Sequence, residues 1–323
     1  MIISSRWVKI LCLSICLLLF TALFLRNTTS DLSLIFHKDL YAHDESSNSV
    51  VAANITRRFF PPMVRVNPLV ETQGNWMEGP FWQHIPPLFA YVPYVFFKLD
   101  GQITIEVKRL SYALLLWLTG GLFILFTFRF RPKVSVLLAA TLAAGLWLQT
   151  PFTHALVTGY AFGVSDIVLA FTLVLSWGGI LWYLAKERPE RLLYGWKKII
   201  ALAFLAVLPI MAKSLLGAIP AATFLILLLW DHRRLSKRFW LGLIASLGFL
   251  LLYYLPLYFA SPATFNKEIL TAAFHFTDLE GWGRPWYYYF TEYLPHAYLF
   301  KYTWAFFAGL LASLSVCIFS KTE

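Results

Sequence analysis

Eight runs of this chain are nearly free of charge: residues 7–25, 110–128, 134–148, 167–184, 199–211, 215–230, 239–257 and 297–319. A helix of about 20 apolar residues crosses the hydrocarbon core of a bilayer. In lipid, every backbone polar group must be satisfied within the protein, which confines such runs to a small set of folds. Composition agrees: 59% of residues are hydrophobic and 14% are charged, where a soluble domain carries about 25% charged residues. The expected fold is all-α, a polytopic transmembrane bundle of about eight spans forming a single domain over residues 1–323. The first run lacks a small-residue cleavage site and reads as an uncleaved anchor rather than a signal peptide.

Basic residues mark one side. Arg129, Arg131 and Lys133 follow the second run, residues 186–198 are charged after the fourth, and Arg233, Arg234, Lys237 and Arg238 follow the sixth. Lys321 follows the eighth. Short basic loops stay cytoplasmic, so both termini are expected inside, with a first outer loop at 27–108 and a second at 258–295. The same rule accounts for the net charge of +10 without a nucleic-acid partner. Cys12, Cys16 and Cys317 fall within apolar runs and have neither metal nor disulfide spacing, so they read as small apolar fillers.

Most polar chemistry is left to the outer loops. Asp44-Glu45 places two acids shortly after the first span. A carboxylate there can serve as a general base toward an acceptor hydroxyl, or Asp44 can cap a helix; the two roles are compatible. Val51, Ile55 and Phe59 recur at i, i+4, i+8, which predicts a short helix starting just after Asp44-Glu45 and lying on the membrane surface. Residues 86–98 are too short to cross and contain Pro93, so they are expected to be re-entrant or interfacial. In the second loop, Phe265, Ile269, Ala272 and Phe276 predict an interfacial helix over 264–276.

Arg57, Arg58, Lys213 and Arg284 all fall on the expected outer side, where they can hold a phosphate or meet lipid headgroups and water. Lys213, between two apolar segments, either lines a cavity, pairs or snorkels. Asp166 either caps the fourth span or faces the same outer space. His84 and His154 have no metal-site spacing around them. The aromatic residues 282–289 suit an interface belt or a platform for sugar rings. Asn27-Thr28-Thr29 and Asn54-Ile55-Thr56 fit the N-glycosylation pattern, which matters only in a eukaryotic host.

The order of motifs carries a resemblance. An anchor is followed by Asp44-Glu45, then Pro86-Pro87-Leu88 ahead of aromatics, and Arg109-Leu110-Ser111 opening the second span. Gly163-Val164-Ser165-Asp166 opens the fourth, and Ala212-Lys213-Ser214-Leu215-Leu216-Gly217 and Gly283-Arg284-Pro285-Trp286-Tyr287-Tyr288-Tyr289 come later. Together these resemble the GT-C glycosyltransferases, in particular the protein O-mannosyltransferases and the lipid A aminoarabinose transferases.

The resemblance implies an inverting transfer from a polyprenyl-phosphate-linked sugar to a lipid, glycan or protein acceptor on the outer face, among membrane lipids. Asp44 would be the base, with Glu45 beside it; His84, Asp166, Lys213, Arg284, Arg57 and Arg58 would serve the substrates. Where the family has a basic residue before Pro-Pro, this chain has Ile85, preceded by His84. No cofactor is implied, and a divalent metal ion is left open. A bacterial cytoplasmic membrane is the expected location. Family members usually carry further spans or an outer domain after the eighth span, so the expectation is a fragment, a minimal form or a degenerate copy. The competing classes are a non-catalytic or degenerate scaffold and a lipid or solute transporter.

Overall fold

The computed structural model describes residues 6–32, 43–62, 86–130, 133–150, 153, 165–186, 195–213, 217–232, 237–266 and 268–269. The regular elements among them are α-helices: α1 (Arg6–Leu32), α2 (His43–Asn54), α3 (Leu88–Asp100), α4 (Ile105–Phe130), α5 (Val134–Leu148), α6 (Ser165–Lys186), α7 (Trp196–Lys213), α8 (Ala218–His232) and α9 (Lys237–Ala260). Three of them, at Trp7–Arg26, Ile105–Phe130 and Lys237–Ala260, are long and apolar enough to cross a membrane, and shorter apolar helices cover Val134–Leu148, Asp166–Leu181 and Ala218–Leu229. Seven of the expected runs thus coincide with helices. The eighth, 297–319, and the aromatic segment 282–289 lie outside the described residues.

Two apolar clusters hold the bundle. The first joins α1 to α6, with Phe20, Val51, Phe89, Leu116, Leu137 and Ile167 among its members. The second joins the far part of α6 to α7, α8 and α9 through Ile180, Ala203, Val207, Phe224 and Leu228. Leu88, the first residue of α3, packs against both.

Missing side chains set the helix spacing. A Cβ on Gly120 of α4 would lie 2.1 Å from the Phe20 ring of α1, and one on Gly178 of α6 would lie 2.0 Å from the Phe126 ring of α4. Each glycine therefore admits a whole aromatic ring, in the manner of small residues at membrane helix contacts. Trp117 Nε1 also donates to Thr21 Oγ1 at 3.1 Å, tying α4 to α1.

Proline leaves a different mark. Pro209 has no N–H, so the Leu205 carbonyl four residues earlier loses its helical donor. Ser176 of α6 donates its hydroxyl to that carbonyl. Neighbouring helices supplying such groups is what allows proline inside a membrane helix.

Helix α4 begins five residues before the apolar run at 110. Thr104 is the reason: its Oγ1 accepts the Val107 N–H at 3.3 Å, as an N-cap does. The first turns of α4 therefore carry Lys108 and Arg109 into the protein. Helix α3 ends at Gly101, whose φ of 78° is left-handed and whose N–H bonds the Phe97 carbonyl at 2.9 Å. The thirteen residues of α3 include a buried Pro93, consistent with a segment too short to cross.

Candidate functional site

Polar groups gather at one end of the bundle. Asp166 stands in the first turn of α6 and Lys213 in the last turn of α7. Their side chains meet at 2.5 Å, each a little over a quarter exposed. Both charges also suit their helix ends: a carboxylate at a helix N-terminus and an ammonium at a C-terminus each oppose the helix dipole. Lys213 is thus a paired residue rather than a lone snorkelling one.

The last turn of α7 leaves carbonyls without helical donors. Tyr254 and Tyr253 of α9 donate to the carbonyls of Ile210 and Met211, each at 3.1 Å. The Tyr253 ring lies 5.7 Å from that of Phe60, just after α2. Tyr91 of α3 donates to the Phe59 carbonyl at 2.6 Å. Burial, reinforced by neighbouring Tyr94, pushes the Tyr91 phenol well above its ordinary range, so it remains a donor. These contacts bring the segment after α2, the start of α3 and the ends of α7 and α9 to the same end as Asp166 and Lys213.

Helix α2 brings the two acids to that end. It starts at His43, so Asp44 and Glu45 fall within its first turn rather than ahead of it. The side chains of both lie outside the described residues, but their register is informative. Asp44 precedes Val51 and Ile55 by seven and eleven residues, and Glu45 precedes Ser49 and Ala52 by four and seven. Positions so spaced share a helix face. Val51, Ala52 and Ile55 are buried in the first cluster. The apolar stripe of α2 is therefore turned to the bundle, not to a lipid surface. It also stops short of the sequence expectation, because the helix ends at Asn54 and Phe59 lies beyond it, 61% exposed. Asn54 is only 9% exposed, which closes that glycosylation motif in the folded chain.

The first turns of α4 hold two cations that sequence reasoning did not single out as site residues. Lys108 and Arg109 are both 0% exposed. Lys108 Nζ donates to Ser49 Oγ of α2 at 2.8 Å and stands 6.0 Å from the centre of the Tyr112 ring. In sequence, a basic pair ahead of an apolar run reads as a headgroup anchor. Its interior position depends on contacts made across the bundle, of which Ser49 of α2 is one.

Arg57 and Arg58 are exposed in the turn after α2, their N–H groups bonded to the Asn54 carbonyl. His84, Arg284 and His154 lie outside the described residues. After α9, 262–266 is helical and Phe265 packs on Tyr254 and Tyr258, whereas Ile269 is exposed; residue 267 and the rest of the expected 264–276 helix, from residue 270 on, lie outside the described residues. Among the described residues, no group of three or more His, Cys, Asp or Glu is arranged to hold a metal.

Searches of protein-family models, curated proteins and solved structures return no match to this chain.

Proposed function

We propose that this chain is an inverting glycosyltransferase of the GT-C type, moving a sugar from a polyprenyl-phosphate donor to an acceptor hydroxyl at the outer face of a bacterial cytoplasmic membrane. The proposal includes about eight spans with both termini inside. The observation that carries it is the placement of α2: the helix that bears Asp44 and Glu45 is docked by its inward face onto the bundle end where Lys108, Arg109, Lys213 and Asp166 gather.

In this reading Asp44 accepts the proton of the acceptor hydroxyl. The acceptor oxygen attacks the anomeric carbon as the bond from that carbon to the donor phosphate oxygen breaks, and the polyprenyl phosphate leaves with the bonding electrons. Catalysis then rests largely on stabilising the charge of the departing phosphate. Lys213, Arg284, Arg57, Arg58 and His84 are the groups proposed for that task, with Asp166 fixing Lys213.

The test is Asp44→Asn, assayed in membranes for transfer from a polyprenyl-phosphate sugar at matched protein level. Within the first turn the exchange removes only a favourable helix-dipole contact of about 0.3–1 kcal/mol, so a purely structural acid leaves transfer nearly intact. A general base gives a loss of about 10²–10⁴-fold. Full activity in the Asn variant would falsify the catalytic role. Absence of transfer in the unaltered chain favours the scaffold or transporter readings instead.

A further inference from the structure

A fully buried lysine needs a reason, because removing an ammonium from water is costly unless it is paired and hydrogen-bonded. Lys108 reaches across 59 residues of sequence to Ser49. Ser49 is one helical turn beyond Glu45 on the same face of α2, about 6 Å along the axis. Arg109, equally buried, adds a second positive charge next to it. The contact is thus placed where it fixes the rotation and height of the acidic first turn.

Elsewhere α2 is held by small and aliphatic residues, Val51, Ala52 and Ile55. Such contacts are non-directional. The hydrogen bond is directional, so it favours one register of α2 on the bundle.

We infer that Lys108 is a positioning residue: it clamps α2 through Ser49 and thereby holds Asp44 in its working place. The catalytic part of this inference rests on the function proposed above; the clamp itself does not. Removing the clamp leaves the apolar contacts of α2, so the helix stays attached but loses its fixed register.

The experiment uses the full chain in detergent, with a reporter cysteine introduced by Ser47→Cys and the chain without it as background. Its reaction with a polar thiol reagent is followed in Lys108→Met, Lys108→Arg, Ser49→Ala and the Lys108→Met/Ser49→Ala pair. Transfer kinetics are measured on the same proteins. The clamp requires Lys108→Met to change the labelling rate by about tenfold or more and Ser49→Ala to change it in the same direction. The pair should be no worse than Lys108→Met alone, as for two groups acting through one contact. Lys108→Arg should restore most of the unaltered rate. Transfer should fall in kcat with the donor KM unchanged, and recover with Arg. Labelling unchanged in both single variants overturns the clamp. If Lys108→Met does not insert, Ser49→Ala alone decides by the same readout. If labelling shifts as expected while the unaltered chain transfers no sugar, the clamp stands and the glycosyltransferase reading fails.

Discussion

The Tyr112 hydroxyl donates to the carbonyl oxygen of Phe89 at 2.8 Å, and Phe89 is the residue four before Pro93. That carbonyl has no donor within α3, because proline has no N–H. Tyr112 supplies from α4 what Pro93 removed from α3. Tyr112→Phe should therefore lower stability by about 1–3 kcal/mol, the cost of a buried acceptor left unmade. In a Pro93→Ala background the helix regains its own donor, and the same substitution should be nearly neutral. Thermal unfolding in detergent reads both arms; equal losses in the two backgrounds would show that the hydroxyl is not serving the orphaned carbonyl.

The Asp166–Lys213 pair should behave as a unit. Each partner is partly exposed, so breaking it falls between the surface and buried limits, about 1–3 kcal/mol for Asp166→Asn or Lys213→Met. The double variant should be less than additive. Additive losses in unfolding midpoint would mean that the two charges act separately.

Gly217 should tolerate nothing larger. A Cβ there would lie 2.1 Å from the Pro209 carbonyl carbon and 2.2 Å from its oxygen, so backbone meets backbone. Gly217→Ala must push α7 and α8 apart, at a cost of about 3 kcal/mol. Gly248 has nothing within 4 Å of the same atom, and Gly248→Ala is the control, expected to be neutral or slightly stabilising. A Gly217→Ala chain as stable as the control would refute the close approach.

Orientation is testable without any activity. If the short basic loops are cytoplasmic, a cysteine at Ser47 should be labelled from outside intact cells and one at Arg188 should not. The reverse pattern would place Asp44, Asp166 and Lys213 on the inner side and remove the basis of the proposed reaction.

Arg284 stands on the outer side in that topology, and Ile85 occupies the position where the resembling family has a basic residue. Arg284→Ala should weaken donor use strongly, and Arg284→Lys should restore it in part, because lysine lacks the two-pronged guanidinium geometry. An unchanged donor KM in the alanine variant removes Arg284 from the site.

What sequence could show was whatever depends on neighbours in the chain. The apolar run 134–148 is the whole of α5, because length and charge are enough to define it. Asp166 and Lys213 could each be singled out, yet their meeting depends on α6 and α7 lying antiparallel. The start of α2 was displaced because Asp is a strong cap signal and Asp44 reads as one. Phe59 fitted the stripe by counting alone, since period says nothing about where a helix stops. Lys108 and Arg109 were least legible: their burial depends on contacts distant in the chain, such as that of Lys108 with Ser49.

Leu88 touches both apolar clusters, and the two are completed at different times during synthesis. All but one of the buried members of the first cluster come from residues up to Val168; Ala212 is the exception. The second draws almost wholly on residues from Ile180 onward. Because chains emerge N-terminus first, one flank of Leu88 is occupied while the other still waits for α7 and α9. The early helices thus present one flank of Leu88 to the late ones, while the main junction between the two halves is α6, which packs on both α4 and α7.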